Sequence, residues 1–497
     1  MKEYKVIHFW RVMALIPVLF VTWGCPDPDP VDEKQKEEQE KIAADAQYAA
    51  KSFLRSQYMD VYYYWRDEVI DRNKTLKPYL YDIYDFFDQM LYKDDRWSWM
   101  CNRDEYISEE TGVVYGTWGV SFGQPWKFYG DYGIRVRYIY PGSPLEPFGV
   151  TRGAWLTHIN NYDLSVIYTQ EDLNYFNLNI NKTPLNFTFR LVDGRDTTFT
   201  ASMAPSLATN TALITRVFQP EDFPGLTEPV GYFHYLAFKK GFLNDISTAM
   251  ETLHDAGVKK AIIDLRYNGG GDSDASDLLM GYLAPATANN KPYVIRRHNK
   301  YLASWDAYYS DDNNTYYVRR QAKALDLDEI YFIVGRGSAS ASEMVINGLK
   351  PYMGDRLQMV GDTTYGKPNG MYVLMYPGKN EDYAAYNKGD FSRLQWVFLP
   401  ISFFNQNARS ESIPWDGFVP NSLRPDDIYH DFGPEEDLIR ACLSRIVNGS
   451  YPSVNMNSAS SIKTKVFPGK GYQIEREEDR PGYGRYVAEP PVIFGNN

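Results

Sequence analysis

The chain has 497 residues, 44% of them hydrophobic, which is enough for two or three domains with cores of their own. The net charge of −12 argues against nucleic acid as the main partner, and three cysteines provide neither a disulfide framework nor the spacing of a metal site. The 41 tyrosines are typical of surfaces outside the cytoplasm that bind peptides or glycans, so a glycan-binding surface lipoprotein is one open interpretation.

Residues 1–24 have the pattern of a secretion signal, because basic residues precede a short apolar run over 12–21. That run is too short to span a membrane comfortably. It ends in the letters VTWGC, which resemble a bacterial lipoprotein cleavage box, although Thr22 stands where leucine is usual. We therefore expect lipidation of Cys25 and a membrane anchor in the bacterial cell envelope, on the periplasmic or surface face of the outer membrane. Plain signal cleavage beside an incidental cysteine is the alternative.

The next two segments differ sharply in composition. Residues 25–45 are Pro-rich and then charged, with almost nothing to bury, which predicts a tether. Residues 46–105 carry aromatic and apolar side chains three or four positions apart, which predicts an N-terminal helical domain of two or three amphipathic helices, broken near Pro78. We expect this aromatic stripe to pack in a core and not to bind a ligand.

Short strands are expected over 106–208, with a hairpin that turns at Asp193-Gly194. The segment 116–122, with Trp118, Gly119 and Val120 at its centre, resembles the carboxylate-binding loop of a PDZ domain. Successive N–H groups in such a loop bind a C-terminal carboxylate, while the sheet edge accepts the peptide as an added strand. Ala154 stands where such domains often have aspartate.

An α/β core is predicted over 209–450. Strands are expected at 230–235 and 260–265, with a helix over 242–256 between them. The second strand runs into the letters DLRYNGGG, from Asp264 to Gly271. A phosphate-binding loop is excluded, since no Gly-Lys-Ser or Gly-Lys-Thr follows the glycines. We expect Asp264 and Arg266 to be structural and paired beneath the turn.

The segment that organises the core lies between residues 330 and 367. A strand over 330–334 leads into a run of small residues over 338–342 and a helix that we expect to end at Pro351. A serine at such a turn stands beside N–H groups that the first helical turn leaves without acceptors, and these can stabilise an oxyanion. No histidine lies in the Gly- and Ser-rich stretches, so Lys367, after a second apolar run, is the candidate base. Its pKa would have to fall from about 10.4 to roughly 7–8 through burial.

These motifs, SASASE from Ser338 and TYGK ending at Lys367 together with DLRYNGGG, resemble the signature of the C-terminal processing (tail-specific) serine peptidases. The resemblance implies a Ser-Lys dyad of Ser340 and Lys367, with oxyanion N–H groups from Ala341 and Gly270. Gly269 and Gly271 are alternatives to Gly270. Many members have glutamine four residues after the lysine, where this chain has Met371, and Asn369 is a weak substitute for that orienting group. Independently of the resemblance, Ser342 is an alternative as a simple helix N-cap.

The resemblance implies an α+β multidomain fold, with an N-terminal helical cap, a PDZ-like β domain and a crotonase/ClpP-like α/β protease core. The implied function is that of a serine endopeptidase acting on polypeptides bound through their C-terminal segments, without metal or organic cofactor. An inactive peptide-binding scaffold is the alternative that Met371 suggests. Residues 289–326 are expected to form a polar insertion near the cleft. A last helix is predicted over 435–447, and 451–497 form an extension without an assigned function. Cys101 and Cys442 either pair or remain buried thiols.

Overall fold

The computed structural model describes residues 30–123, 133–167, 169–305, 309–310, 313–453 and 486–488. The predicted signal segment and Cys25 lie outside these ranges, so lipidation stays a prediction. The chain divides into two compact units, Met1–Tyr48 and Ala49–Asn497. Within the described ranges, no helix combines the length and apolar character that crossing a membrane requires.

The described part of the first unit consists mainly of one helix, Pro30–Ala44. Its side chains from residue 34 onward are mostly exposed, and Glu37 and Lys41 form an i,i+4 pair at 3.8 Å. The sequence predicts a tether with almost nothing to bury. The structure adds a helix to that expectation, because the Glu, Lys, Gln and Ala residues of this segment are good helix formers.

The predicted helical domain comes next in the chain and lies in the second unit except for residues 46–48. Its helices span Tyr48–Phe53, Leu54–Met59 (a π-helix), Asp60–Tyr62, Arg66–Thr75, Pro78–Leu80 (3₁₀), Ile83–Met90 and, after the strand Trp99–Asn102, Arg103–Thr111. The break near Pro78 is as predicted, since Pro78 opens the 3₁₀ turn. Tyr58, Phe87 and Met90 are buried in the same apolar cluster as residues of the α/β core, so the aromatic stripe is core packing.

A six-stranded antiparallel sheet follows. Five of its strands lie side by side and are called the five-stranded region, in the spatial order Val120–Gly123, Ile134–Ile139, Trp155–Ile159, Leu185–Arg190 and Asp196–Ala201. Tyr162–Asp163 pairs with Trp155–Ile159, and the hairpin turn at Asp193-Gly194 is as predicted. The helix Gln170–Asn179 packs on this sheet through Leu173 and Phe176. The sequence did not predict this helix. A separate pair of strands, Val113–Thr117 and Ala204–Ala208, closes the region.

A six-stranded sheet forms the centre of the core. Its order is Ala212–Phe218, Val230–Tyr235, Lys260–Asp264, Glu329–Val334, Leu357–Gly361 and Ser422–Leu423. The first pair is antiparallel and the other neighbours are parallel. Both faces are covered: the helices Leu243–Asp255, Ser273–Leu283 and Ala341–Met353 pack in one apolar cluster, and Asp437–Asn448 packs in another. Strands covered on both faces read as continuous apolar runs, which is why they could be predicted.

Another six-stranded sheet lies beside the loops of the central one. Its order is Gly271–Asp272, Tyr486–Ala488, Asn369–Tyr372, Ile401–Gln406, Pro292–His298 and Thr315–Tyr317. A three-stranded sheet joins Trp99–Asn102, Trp396–Leu399 and Leu374–Tyr376. The remaining elements are Glu146–Phe148, Pro220–Asp222, Lys240–Phe242, Ala286–Ala288, Lys300–Ala303, Gly354–Arg356 and Asn380–Tyr386. Part of the predicted polar insertion is therefore the interior strand Pro292–His298.

The expectation that Pro351 ends its helix is wrong, because the helix continues to Met353. Proline removes the hydrogen bond that its N–H would give to the carbonyl four residues earlier, here that of Asn347. The side-chain Nδ2 of Asn407 donates to this carbonyl at 3.2 Å. An acceptor that the proline leaves open is thus satisfied from another segment, and the last turn is retained.

The two cysteines that could have paired are both free and buried. Cys101 lies in the cluster around Val397 and Leu399, and Cys442 lies beneath the central sheet in the cluster of the last helix. The alternative of a disulfide between them is therefore wrong, and each thiol fills space in a separate apolar cluster.

Candidate active site

Topology brings the three sequence motifs to one edge of the central sheet. Lys260–Asp264, Glu329–Val334 and Leu357–Gly361 are neighbouring parallel strands. Parallel strands end at a common edge, and ligand sites of open α/β sheets lie outside that carboxyl edge. The loops after these strands hold the glycines 269–271, the serines 338–342 and Lys367.

Ser340 occupies the residue before the helix Ala341–Met353, with φ 56° and ψ −112°. A positive φ is uncommon for a residue with a side chain, and such strain persists where the surroundings enforce it. The Ser340 N–H donates to Glu343 Oε2 at 3.0 Å and its carbonyl accepts from Met344 N–H at 2.7 Å, so hydrogen bonds hold the backbone on both sides. The side chain is therefore set at a sharp strand-to-helix turn.

Three alternate serines of the small-residue run differ in what their hydroxyls contact. Ser338 Oγ donates to the Leu265 carbonyl at 2.7 Å, and Ser342 Oγ donates to the Asn268 carbonyl at 2.8 Å. The Ser340 Oγ is buried and, among the described residues, has no hydrogen-bond partner. The two flanking hydroxyls fasten the turn to the glycine loop, and the central hydroxyl is the one left available for chemistry. Ser342 therefore anchors the turn to the glycine loop, and the residue at the N-cap position of the helix is Ser340.

The glycine loop lies directly against this turn. Asn268 is buried, and its carbonyl accepts from Ala339 N–H at 3.1 Å as well as from Ser342 Oγ. Gly270 has φ 100°, and its N–H donates to Asn268 Oδ1 at 2.9 Å. The N–H predicted for the oxyanion is thus engaged within its own loop, so that role for Gly270 stays a prediction. Ala341 is the first residue of its helix, and its N–H has no acceptor within the helix.

Glu343 joins the serine turn to the lysine loop. Its Oε2 accepts from the backbone N–H groups of Ser340 at 3.0 Å and Lys367 at 2.8 Å. Its Oε1 accepts from Thr364 Oγ1 at 2.5 Å and Gly366 N–H at 2.8 Å. The backbone nitrogens of Ser340 and Lys367 are therefore separated by no more than the sum of their two distances to Oε2. Two loops that are distant in sequence share one carboxylate.

Burial raises the pKa of Glu343 above its ordinary value, and the donors from Thr364, Lys367, Gly366 and Ser340 oppose that shift. Three of these four partners are backbone N–H groups, which can only donate, and the fourth is the Thr364 hydroxyl. Gly366 has φ 87°, and a Cβ there would lie 2.1 Å from the Trp415 carbonyl, which explains the glycine before the lysine.

Lys367 is completely buried, and its Nζ lies 3.8 Å from Met371 Sδ, within the longer range of hydrogen bonds to sulfur. Met371 thus contacts the amine from the position at which the resembling family often has glutamine. Asn369 does not take that role here, since neither its Oδ1 nor its Nδ2 has a hydrogen-bond partner in the described part of the chain. The weak substitute considered from the sequence is therefore wrong.

Beneath the glycine loop, Asp264 and Arg266 form the predicted pair, with Arg266 Nη2 2.8 Å from Asp264 Oδ2. Arg266 also contacts Asp426 at 2.8 Å and bonds to Glu436. Burial alone would raise the pKa of Asp264, but it lies below its ordinary value because Arg266 is adjacent. Arg152, from the five-stranded region, reaches Asp426 at 3.1 Å, so this buried network connects that region to the core.

The predicted carboxylate-binding loop lies in the five-stranded region. Trp118 is buried and its Nε1 donates to the Ile180 carbonyl at 2.6 Å. Gly119 has φ 61°, and its N–H donates to Thr117 Oγ1 at 3.0 Å. Val120 begins the strand Val120–Gly123, which lies at the edge of its sheet. The edge position agrees with strand addition, while the engaged Gly119 N–H would have to be released to bind a carboxylate.

Sequence reasoning missed the part played by Glu343, and it did not anticipate Asp426, Glu436 or Arg152. For Glu343 a local signal existed, because Ser340-x-x-Glu343 has the spacing of a capping box. The contacts from Thr364, Gly366 and Lys367 come from 21 to 24 residues away and leave no periodic trace. Among the described residues, no group of three or more His, Cys, Asp or Glu side chains is placed to hold a metal ion.

The chain is similar to known proteins in part of its sequence and in its fold. Residues 229–386 match the model described as peptidase family S41. A curated relative from Staphylococcus saprophyticus, named "Probable CtpA-like serine protease", is 28% identical over 138 residues, which are 28% of this chain and 25% of that protein. The chain thus spans about a quarter of the length of that relative.

A crystal structure of a Bacteroides fragilis protein that is assigned as an S41 protease has a similar fold. The TM-score is 0.59 at 19% identity, over 86% of this chain and 99% of that one. The chain has the mixed α+β, multidomain fold of S41 proteases. The family match is confined to residues 229–386, and the similarity to the Bacteroides fragilis structure is one of fold.

Proposed function

We propose that this protein is a serine endopeptidase of the C-terminal processing type that uses a Ser340–Lys367 dyad. The family match supports a serine peptidase acting on polypeptides. The observation that carries the dyad is the contrast among the three serines, since the Ser340 hydroxyl is buried without a partner while Ser338 and Ser342 are bound to carbonyls. Glu343 keeps the backbones of Ser340 and Lys367 close together.

In the proposed reaction, Ser340 Oγ attacks the carbonyl carbon of the scissile peptide bond and its proton passes to Lys367 Nζ. The oxyanion is stabilised by the Ala341 N–H and by a second N–H from the glycine loop, with Gly270 favoured. Lys367 then returns the proton to the leaving amine, and an acyl-enzyme ester remains on Ser340. Water hydrolyses the ester with the lysine again acting as base.

The region around Trp118, Gly119 and Val120 would act as a PDZ-like site for C-terminal segments of the substrate. The edge strand Val120–Gly123 and the packed helix Gln170–Asn179, with Phe122 5.6 Å from Phe176 between ring centroids, support this proposal. Substrates with a free C-terminal carboxylate would then be cleaved more efficiently than the same peptides with an amidated C-terminus.

The dyad is tested with labelled casein and with a serine-reactive fluorophosphonate. We expect Ser340→Ala and Lys367→Ala to lose peptide hydrolysis and Ser340→Ala to lose covalent labelling, with unchanged folding by circular dichroism. Ser342→Ala is the matched control: it removes an anchoring hydrogen bond two residues away and should keep measurable activity. Full activity of Ser340→Ala would reject the proposal. Absence of both labelling and hydrolysis in the unchanged protein would favour an inactive peptide-binding scaffold, which the Met371 position suggests. Binding to a polysaccharide array without proteolysis would favour a glycan-binding lipoprotein.

We also propose a lipid anchor on Cys25 and a location in the cell envelope, on the sequence pattern alone. Mass spectrometry of the mature N-terminus tests this. A mature chain that begins at a residue other than Cys25, without a lipid, would contradict it.

A further inference from the structure

The strand Tyr486–Ala488 occupies an unusual place for a segment so near the end of the chain. It lies between Gly271–Asp272 and Asn369–Tyr372 and is parallel to both. Val487 pairs with Asp272 on one side and with Met371 on the other. Gly271 follows the predicted oxyanion glycine, and Met371 contacts the candidate base Lys367. The segment thus bridges the two halves of the candidate active site.

The two flanking strands have their other edges occupied. On one, Asp272 N–H donates to the Phe238 carbonyl at 2.7 Å, and Gly271 approaches Phe238 so closely that a Cβ would lie 2.0 Å from its carbonyl oxygen. On the other, Asn369–Tyr372 pairs with Ile401–Gln406. Each strand therefore offers one edge to the gap between them. Since strands in a sheet lie about 4.8 Å apart, a gap that holds one strand is about 10 Å wide.

Backbone N–H and C=O groups at an open edge bind any extended chain, because the ladder does not depend on side chains. A gap with an open edge on both sides fits one extended polypeptide more specifically than a single edge does. We propose that this gap is the slot for an extended substrate and that Tyr486–Ala488 occupies it in cis, as a competitor carried by the chain itself. This inference rests on the proposed peptidase function and adds a self-encoded occupant of its cleft.

Competition in cis has a defined kinetic signature. A tethered occupant is present at a fixed effective concentration, and saturating substrate displaces it. Releasing the segment should therefore lower KM and leave kcat unchanged. Val487→Pro in the full chain should release the segment, because proline cannot donate a backbone hydrogen bond to a neighbouring strand and restricts the backbone. Ser460→Pro, which introduces a proline 27 residues earlier in the sequence, is the matched control.

The kinetic arm measures hydrolysis of a quenched fluorescent peptide. We expect KM about tenfold lower for Val487→Pro than for the unchanged protein or Ser460→Pro, with equal kcat. Unchanged KM in Val487→Pro would overturn the inference. Lower kcat or loss of folding in that variant would also overturn it, because the strand would then be a required part of the sheet.

A binding arm is independent of activity. A labelled peptide, GYGRYVAEP (residues 482–490), is titrated into Ser340→Ala and into Ser340→Ala with Val487→Pro, and fluorescence anisotropy reports binding. We expect at least about tenfold tighter binding to the double variant, and weaker binding of the same peptide N-methylated at Val487. Equal binding to both proteins overturns the tail inference and leaves the peptidase proposal standing. Tighter binding to the double variant, with no hydrolysis by the unchanged protein, supports the occupied slot and rejects the peptidase.

Discussion

Replacing Glu343 by glutamine tests whether one carboxylate aligns the serine turn with the lysine loop. Each of its oxygens accepts two donors: Ser340 and Lys367 N–H on Oε2, and Thr364 Oγ1 and Gly366 N–H on Oε1. Glutamine has nearly the same shape, and its amide NH₂ can donate to the Thr364 hydroxyl oxygen, but the Gly366 N–H on that side then lacks an acceptor in a fully buried site. In the other orientation, the N–H groups of Ser340 and Lys367 both lose their acceptor.

The magnitude follows from the cost of a buried donor without a partner, about 1–3 kcal/mol each. The better orientation leaves one such donor and lowers the free energy of unfolding by about 1–3 kcal/mol, a sizeable part of the roughly 5–15 kcal/mol typical of a domain. We expect the turn and the lysine loop to separate as well, so kcat should fall more strongly than KM rises.

Urea unfolding and steady-state kinetics measure the two effects together. Glu329→Gln is a suitable control, because its carboxylate accepts from the Tyr331 hydroxyl at the start of the strand Glu329–Val334, at the opposite end of that strand from the serine turn. A Glu343→Gln variant with unchanged stability and unchanged kcat would refute the reasoning, since it would mean that the four hydrogen bonds contribute nothing to the alignment of the loops.

Substitutions at two further positions test individual groups. His234 is fully buried with neither ring nitrogen bonded to a described residue, and its pKa is lowered to about 4, chiefly by burial. His234 is therefore neutral in the folded protein. Its contribution to the free energy of unfolding is complete above the unfolded-state pKa of about 6.5 and is lost as pH falls from there toward 4. Between pH 7 and pH 5 this loss of stability amounts to about 2 kcal/mol. His234→Phe keeps the aromatic contact with Phe432 but cannot be protonated, so it should not show this part of the loss. Unfolding of both proteins, measured at pH 7 and at pH 5, tests this. An equal loss of stability in the variant and the unchanged protein would contradict this account. At Met371, leucine removes the sulfur near Lys367 Nζ while keeping the volume, so Met371→Leu should lower kcat several-fold at constant KM, whereas Met371→Gln, which offers a stronger amide acceptor, should match or exceed the unchanged protein. Equal kcat in the leucine variant would exclude the sulfur contact as a positioning interaction.

The elements around the site were predictable because their signals are local. Apolar runs at 230–235, 260–264 and 330–334 mark buried parallel strands, and the glycines and serines after them mark turns. The pairing of Asp264 with Arg266 also involves neighbours in sequence. The resemblance to C-terminal processing peptidases indicated Ser340 among three serines, whereas a physical reason for that choice required the partners of Ser338 and Ser342.

What the sequence did not reveal depends on contacts between distant segments. The helix passes Pro351 because Asn407, 60 residues away from Asn347, satisfies the open carbonyl. The strand Tyr486–Ala488 lies in a Gly- and Pro-rich extension whose composition gives no strand signal, and its pairing depends on two edges formed elsewhere. Glu343 had a visible capping pattern, but its bonds to the lysine loop arise only in the folded chain.

The order of the parallel strands has a consequence for how the protein matures. The glycine loop, the serine turn and the lysine loop come from segments spread over about a hundred residues, and they become neighbours only when Lys260–Asp264, Glu329–Val334 and Leu357–Gly361 are docked in register. A nascent chain that has emerged only as far as Leu357 possesses the hydroxyl but not the amine. Under the proposed mechanism, peptide hydrolysis therefore requires synthesis to proceed beyond Lys367, and fragments that end before this residue lack the base.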